Sequence, residues 1–421
     1  MTSHTNPTVN GEVRVGLVPP SRWSEVSSDH SPAASPLPRS GAPEVADVTF
    51  SFLPLTDAAP FIVAHSKGWF REFGIESKLR RETSWTALRD ALNTGAAQAA
   101  QTLFSMPVSV ACGLLGSNQK PLIVPWILNR NGQAITLNKQ FKGRIATRSG
   151  PLREAAIEGR NSGRPLVFGH TLRAGTHALW LRYWLAAGGI HPDNDVALIT
   201  VPPPQMAANM RTARMDGFCV GEPWNARALA EGLGYTAITS QEIWPDHPEK
   251  VCAFTEEFAG RNPRTVISAL KGLHQAGVWL DDPANHAEAA QLLALPEHLG
   301  GDPALIQSRL GGTIDYGDGR TLSLPQGLTF SGRDANRPRA SHAVWFLTQL
   351  RRWGLHFGTP DYARVSQRVI RADFHDQARR ELGLPDTAAA DGPETFFDGK
   401  LFDPSAPEDY AQSFELKNIL G

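Results

Sequence analysis

Apolar and polar residues follow two different periodicities between residue 47 and about residue 255. Residues 120–129 contain an almost unbroken apolar run, which is typical of a strand buried on both faces. Residues 176–187 instead repeat large apolar side chains on one helical face, and Gly188 follows them. Segments of both kinds succeed one another through this part of the chain. Such an alternation predicts an α/β fold with mainly parallel sheets.

The two ends of the chain show other patterns. Beyond residue 255 the pattern becomes helical, with loops expected at 311–340 and 386–408. Residues 20–46 are rich in Pro, Ser and Ala and poor in large apolar residues. This composition is typical of a flexible segment, so we expect residues 1–46 to form an N-terminal tail.

Three predicted helix starts are places where an anion could bind. Thr56 or Asp57 is expected to cap one helix, and Ser84 caps a second helix that begins with Trp85. His177 lies in the first turn of a third helix. Backbone N–H groups at a helix start lack partners within the helix and bear partial positive charge. No glycine-rich phosphate loop accompanies them, so a small oxyanion fits better than a nucleotide.

Each candidate residue also has an ordinary structural interpretation. Trp85 could pack in the core, and His177 could be a cap or a surface residue. Lys250 could be a solvated lysine, and Glu222 could make a structural hydrogen bond. The carboxylates of Asp57 and Glu222 could pair in space, but nothing in the sequence requires it.

Charge and composition exclude several functions. The 41 basic and 42 acidic residues give a net charge of −1, so direct binding to nucleic acid is not expected. The three cysteines form no CxxC pair, and the thirteen histidines include no HExxH motif. We therefore expect neither a disulfide framework nor a metal site. Nucleophile-elbow, Walker and Rossmann motifs are absent, so an enzyme is not indicated.

The first 31 residues bear on the location of the protein. They contain no apolar run of the roughly seven residues that a secretory signal needs, no twin arginine and no lipobox cysteine. No segment of the chain approaches the roughly 18–20 apolar residues that span a membrane. We therefore expect a cytoplasmic protein without membrane insertion.

Long segments between about residues 48 and 418 resemble one family. They include LPLTDAAPFIVAHSKGWFREFG, SWTALRDAL, LNRNGQAIT, LWLRYWLAAGGIHPD, VPPPQMAANM, MDGFCVGEPWNARALAEGLGYTAITSQEIWPDHPEKV and FDPSAPEDYAQSFELKN. Together they are similar to the nitrate- and bicarbonate-binding receptors of the NrtA/CmpA type. The resemblance implies a type II periplasmic-binding-protein fold, in which two α/β lobes hold the ligand in the cleft between them. Lobe 1 would comprise residues 47–133 and 246–421, and lobe 2 residues 134–245.

The resemblance also implies a set of nitrate-binding residues, with no cofactor and no metal. The implied set comprises Trp85, Asn131, Gly132, His177, Pro203 and Lys250. Asn131 falls at the hinge, where some transport receptors have a glutamine. His177 and Lys250 would supply positive charge directly, whereas bicarbonate-type members depend on a bound metal ion, so nitrate is favoured. Lys250→Ala is expected to weaken nitrate binding and to leave the unliganded fold intact.

Three classes of function follow from this resemblance. Transport receptors of the family carry an export signal and a lipid anchor, and this sequence predicts neither. The chain is therefore most similar to the cytoplasmic nitrate/nitrite sensors of the NasS type. We therefore predict a regulator of nitrate assimilation that binds a NasT-like antiterminator with an RNA-binding ANTAR domain and releases it when nitrate binds. The alternative is the substrate-binding component of an ABC-type nitrate or bicarbonate transporter. An enzyme is the third class and has the least support.

Overall fold

The computed structural model describes Leu37 and residues 41–116, 118–311, 313–323, 327–386 and 391–420. Most of the predicted N-terminal tail therefore lies outside the described residues. Residues 37–421 form one unit by their internal contacts.

Two main sheets organise this unit. The strands of the first sheet are β1 (Asp47–Phe52), β2 (Glu76–Arg81), β3 (Ala99–Leu103), β4 (Leu122–Asn131), β10 (Pro248–Thr255) and β13 (Leu328–Thr329). They lie in the order β13-β4-β10-β3-β1-β2. All ten residues of β4 are buried, in agreement with the apolar run from which this strand was predicted.

The second sheet has five strands. They are β5 (Gln133–Asn138), β6 (Val167–His170), β7 (Ala197–Thr200), β8 (Gly217–Gly221) and β9 (Gly234–Thr239). Their order is β7-β6-β8-β5-β9. β6 runs parallel to β7 and β8, whereas β5 runs antiparallel to β8 and β9.

The chain passes between the two sheets twice. It leaves the first sheet between β4 and β5, which are separated by Gly132 alone, and it returns between β9 and β10. β5 and β10 enter their sheets directly from the other sheet, without the crossover helix that a parallel neighbour requires, and both run antiparallel to their neighbours. The expectation of mainly parallel sheets is therefore wrong, because the described pairings of these sheets comprise five antiparallel and four parallel ones.

Helices cover both sheets and make up most of the C-terminal part. Before β10 these are α1 (Ala59–Ser66), α2 (Trp69–Glu72), α3 (Trp85–Thr94), α4 (Ser105–Ala111), α5 (Arg153–Asn161), α6 (Thr176–Ala187), α7 (Met206–Arg211), α8 (Trp224–Ala230) and α9 (Ser240–Ile243). After β10 they are α10 (Glu256–Arg261), α11 (Pro263–Leu280), α12 (His286–Leu293), α13 (Pro303–Leu310), α14 (Ala340–Arg352), α15 (Tyr362–Val369), α16 (Ala372–Glu381) and α17 (Pro407–Gln412). The expected loops also contain short strands, which are β11 (Thr313–Asp315), β12 (Thr321–Ser323), β14 (Glu394–Thr395) and β15 (Leu401–Phe402).

The two predicted helix caps have different outcomes. Ser84 caps α3 as expected, because its side chain accepts a hydrogen bond of 3.1 Å from the backbone N–H of Ala87. The expected cap of α1 is wrong. Asp57 belongs to a 3-10 turn over Thr56–Ala58, and α1 has no side-chain cap. The carboxylate of Asp57 faces the ammonium of Lys250 instead.

Aromatic side chains join the C-terminal part to the second sheet. Trp180 on α6 stacks on Trp345 of α14 at 5.0 Å between ring centroids, and Trp345 stacks on Phe396 at 5.3 Å. Helix α14 also contacts α4, which lies beside the first sheet. Residues after β10 therefore pack around both sheets, and the lobe bounds drawn from the sequence stay a prediction.

The described part of the chain contains neither a membrane-spanning helix nor a metal-ion cluster. None of its helices has the length and apolar character that crossing a bilayer needs. Within the same residues, no group of three or more His, Cys, Asp or Glu side chains is arranged to hold a metal ion.

Candidate functional site

Trp85 lies between the two sheets, at the start of α3. Its side chain is buried, and its indole Nε1 donates a hydrogen bond of 3.0 Å to the hydroxyl of Thr171. Thr171 directly follows β6 of the second sheet. Trp85 is thus both a buried residue and a donor that links the two sheets, so its two sequence interpretations are compatible.

A directed chain of hydrogen bonds continues from Thr171. His177 Nε2 lies 2.6 Å from the amide oxygen of Gln133, which can only accept, so Nε2 carries the proton. His177 Nδ1 is then an acceptor and receives the Thr171 hydroxyl at 2.5 Å. The amide nitrogen of Gln133 donates in turn to Asp57 Oδ2 at 3.3 Å. Each donor atom between Trp85 and Asp57 therefore has at least one protein acceptor.

Lys250 completes this arrangement. Its side chain is fully buried in β10, and Nζ lies 3.1 Å from Asp57 Oδ2 and 3.1 Å from Glu249 Oε1. The ammonium also lies 5.7 Å from the ring centroid of Trp85. Gln101 donates its amide N–H to the other oxygen of Asp57. We call Trp85, Thr171, His177, Gln133, Asp57 and Lys250 the cleft network.

Glu249 joins the cleft network to the core of the second sheet. It accepts hydrogen bonds from the Thr176 hydroxyl and, at 2.9 Å, from Trp180 Nε1. His247 Nδ1 lies 3.5 Å from Glu249 Oε2. With the Lys250 ammonium, the Thr176 hydroxyl and the Trp180 indole, three donors thus reach this buried carboxylate, whereas His247 Nδ1 bonds to the carbonyl of Pro248.

Burial controls the charges of the cleft network. It raises the pKa of Asp57 above its ordinary value, although the nearby Lys250 ammonium opposes that shift. Burial also lowers the pKa of His177 well below its ordinary value, and repulsion from Lys250 adds to the effect. For Lys250 itself burial acts to lower the pKa, but the attraction of Asp57 and Glu249 outweighs it and the pKa is raised. His177 is therefore a neutral donor, and Lys250 carries the positive charge.

The structure brings three of the predicted site residues together. Trp85, His177 and Lys250 all belong to the cleft network. Asn131 and Gly132 lie at the first crossing between the sheets, as expected, but outside the network. The side-chain nitrogen of Asn131 lies 3.4 Å from Asp246 Oδ1. A Cβ atom on Gly132 would stand 2.5 Å from a methyl group of Leu328. Whether any of them binds a ligand stays a prediction.

Pro203 lies at the start of a short 3-10 turn, Pro203–Gln205, and is buried. A cavity of 520 Å³ opens beside this turn and beside the start of α3. Pro202 and Pro204 line the cavity, together with Pro54 and Ser84. The cavity therefore lies one residue from Trp85 along the chain, and no member of the cleft network lines it.

Four residues of the site were not predicted from the sequence, namely Gln133, Thr171, Gln101 and Glu249. Gln133 was within reach, because it is the first residue of a strand whose next four residues are buried. Glu249 precedes Lys250 in an apolar strand, and two adjacent charges in such a strand signal a buried pair. Glu222 does not pair with Asp57, since its carboxylate lies 3.6 Å from Arg309.

The profile of the NMT1-like family matches residues 41–294, which is more than half of the chain. The chain belongs to the NMT1-like family. Its relatives include the nitrate/nitrite binding protein NrtA of Synechococcus elongatus, which is 40% identical over 404 residues, 93% of this chain and 91% of the relative. The bicarbonate-binding protein CmpA of the same organism is 32% identical over 394 residues, 89% of this chain and 88% of the relative.

A solved member of the family shares the fold. The crystal structure of the periplasmic nitrate-binding protein NrtA from Synechocystis superposes with a TM-score of 0.85 at 34% identity, over 89% of this chain and 100% of that one. The predicted resemblance to NrtA/CmpA-type receptors and the type II periplasmic-binding-protein fold are confirmed. These relatives are binding proteins, which fits the expectation that the chain is not an enzyme.

Proposed function

We propose that the chain binds a small planar oxyanion, nitrate before all others, within the cleft network. One observation carries this proposal: an indole N–H, a hydroxyl, an imidazole N–H, an amide and an ammonium converge from both sheets. Nitrate is a planar monoanion whose three oxygens accept hydrogen bonds in one plane. The names of the NrtA relatives support the same ligand.

Nitrate would enter by replacing links inside the network. Each donor now bonds to another member, so a bound oxyanion exchanges existing hydrogen bonds for new ones and adds few. Lys250 is the single cation of the network, and the carboxylates of Asp57 and Glu249 already surround it. A dianion such as sulfate would therefore meet more negative than positive charge, whereas a monoanion can be held when Asp57 is protonated.

The proton on Asp57 gives the proposal a distinct signature. A bound anion beside Asp57 favours the protonated carboxyl, whose pKa burial has already raised. Binding would then take up a proton, and the affinity would rise as the pH falls.

The biological setting is proposed from the relatives. The substrate-binding component of an ABC-type nitrate transporter is the role that best fits a relative described as periplasmic and nitrate-binding. The regulatory role, with a NasT-like ANTAR partner and a cytoplasmic location, stays a prediction. It depended on residues 1–31, which lie outside the described residues.

Calorimetry with nitrate, nitrite, sulfate and bicarbonate, the last with and without calcium, tests the ligand. We expect nitrate or nitrite to bind at one site per chain and more tightly than the others. Gln133→Leu removes one donor of the network and should weaken nitrate about tenfold, because hydrogen bonds to charged groups contribute about 1.5–3 kcal/mol. Gln412→Leu on α17 is the matched control. Tighter binding of bicarbonate with calcium would contradict the nitrate assignment.

The two settings differ in the partner that they require. A pull-down from the native host with and without nitrate distinguishes them. A companion protein that leaves the chain when nitrate is added would support the regulator, whereas nitrate-stimulated binding to a membrane permease would support the transport component.

A further inference from the structure

A second polar cavity lies at the hinge, apart from the cleft network. It has a volume of 270 Å³ and opens where β4 ends and where the chain returns towards β10. Its charged and titratable lining consists of Arg130, Asp246, Arg333, Arg339, His342 and Glu394. We call it the hinge cavity. Three arginines in one small cavity require an explanation, because each keeps its charge at all ordinary pH values.

The acidic groups of the hinge cavity neutralise only part of this charge. Arg333 and Asp246 form a two-pronged ion pair, with both N–O distances at 2.7 Å. Glu394 accepts a hydrogen bond from Trp244 Nε1 and is the only other acid named in the lining. After the Arg333–Asp246 pair is set aside, the guanidinium groups of Arg130 and Arg339 share the lining with the carboxylate of Glu394, and the carboxylate of Asp334, outside the lining, also attracts Arg130.

The remaining basic groups have donors that no described residue uses. Arg130 is 6% exposed, and two of its nitrogens donate to the carbonyls of Ala335, at 3.1 Å, and Asp246, at 2.7 Å. Its Nη2 is buried and has no hydrogen-bond partner in the described part of the chain. The same holds there for Nε of Arg339 and for Nδ1 of His342. Buried polar groups in proteins are nearly always paired, so two unpaired guanidinium nitrogens at one cavity point to a missing acceptor.

We propose that the hinge cavity binds a small oxyanion of the phosphate or sulfate type. Two guanidinium groups with a free N–H each, and one neutral imidazole beside them, offer the donors that such an anion needs. This site is independent of the proposed nitrate site, because it shares no residue with the cleft network.

The pKa directions agree with this geometry. Burial lowers the pKa of Arg130 to about 10, and repulsion from Arg339 adds to the shift. Burial also lowers the pKa of His342 well below its ordinary value, with contributions from both arginines. An anion in the hinge cavity would relieve this mutual repulsion.

Calorimetry with sodium phosphate and sodium sulfate tests the proposal, first alone and then with enough nitrate to fill the cleft. We expect one phosphate or sulfate per chain, with a dissociation constant below about 1 mM, and no competition from nitrate. Arg339→Gln should weaken this binding at least about tenfold, because a buried charged donor is lost. Arg368→Gln, which removes an exposed arginine paired with Glu256, should have no effect.

Arg130→Gln is a second variant, but it also removes hydrogen bonds to two carbonyls, so its thermal unfolding must be compared with that of wild type. The retained fold of Arg339→Gln is checked in the same way. The proposal is overturned if neither phosphate nor sulfate binds, or if nitrate displaces the bound phosphate or sulfate. It is also overturned if Arg339→Gln binds these anions as tightly as wild type. Phosphate binding without any nitrate binding would leave this proposal standing and would refute the proposed function.

Discussion

The cleft network and the hinge cavity use the same kinds of side chain to opposite effect. In the cleft, Lys250 is surrounded by Asp57 and Glu249, and each donor already has an acceptor within the protein. In the hinge cavity, Arg130 and Arg339 keep buried donors that no described acceptor meets. The donors of the cleft network are therefore already paired within the protein, whereas the hinge cavity has unpaired donors that an anion could accept from without rearrangement.

The number of basic residues in a region therefore does not decide where an anion binds. In the cleft an anion must compete with carboxylates, so binding depends on rearrangement and on a proton. In the hinge cavity an anion would supply acceptors that are missing. The cleft is therefore suited to a selective site for a monoanion, and the hinge cavity to a less demanding site for phosphate or sulfate.

Removal of Lys250 should have the largest effect. The sequence led us to expect that Lys250→Ala leaves the unliganded fold intact, but the structure predicts a loss of stability, because the variant leaves two buried carboxylates without their cation. Breaking a buried ion pair costs about 3–5 kcal/mol, so we expect a clear loss of free energy of unfolding in addition to lost nitrate binding. Urea unfolding measures the first effect and calorimetry the second.

Two comparisons control for a general effect of losing a lysine. Lys78→Ala removes an exposed ammonium that pairs with Asp47 and should cost only about 0–1 kcal/mol. Addition of Asp57→Asn to Lys250→Ala should restore part of the lost stability. A Lys250→Ala protein as stable as wild type would show that the network is not closed in solution.

Gly221→Ala should disturb the cleft without changing any charge. A Cβ atom at this position in β8 would stand 2.9 Å from Gln133 Oε1 and 3.1 Å from Asp57 Oδ2. Overpacking of this kind costs about 1–3 kcal/mol, so we expect nitrate affinity to fall by roughly tenfold or more. Gly260→Ala is the matched control, because nothing lies within 4 Å of its added methyl. Equal affinities for both variants would place the ligand away from Gln133.

The pH dependence of nitrate affinity should separate the two regions. Asp57 has a raised pKa and binds a proton more readily when an anion lies beside it, so the affinity should fall as the pH rises through that pKa, by at most about tenfold per pH unit. Lys250 stays charged and His177 stays neutral through the same range. Asp57→Asn should abolish the pH dependence of nitrate affinity. The pH dependence of phosphate binding in the hinge cavity should stay unchanged in this variant. An unchanged slope in Asp57→Asn would exclude Asp57 as the proton acceptor.

Trp85→Phe should have the smallest effect, because it keeps the aromatic surface and removes a single N–H donor. Loss of one hydrogen bond contributes about 1 kcal/mol, so nitrate affinity should fall roughly fivefold. Trp279→Phe, on α11 beside Lys67, tests for a general effect of the substitution. A Trp85→Phe protein with wild-type affinity would mean that the indole N–H is not a ligand donor.

The periodicity of apolar residues and the helix-capping residues predicted much of the fold. The continuous apolar run became β4, and Ser84 capped α3 as its position before a helical pattern implied. Strand direction was not predictable in this way, because β5 and β10 reach their sheets from the other sheet and no local pattern records that path.

The candidate site was only partly predictable. The family resemblance named Trp85, His177 and Lys250, which the fold brings together. The partners of these residues come from distant parts of the chain, as when His177 meets Gln133 and Lys250 meets Asp57. A sequence gives no distance between such residues, so the neutral state of the imidazole and the excess of carboxylate could only come from the structure.

Nitrate should bind in the cleft, and a tetrahedral oxyanion should bind at the hinge. A crystal structure of the chain grown with nitrate and selenate tests both sites at once, because selenium gives an anomalous signal. We expect planar density for nitrate between Trp85 and Lys250, and an anomalous peak beside Arg130 and Arg339. An anomalous peak beside Lys250, or nitrate density only at the hinge, would contradict this expectation.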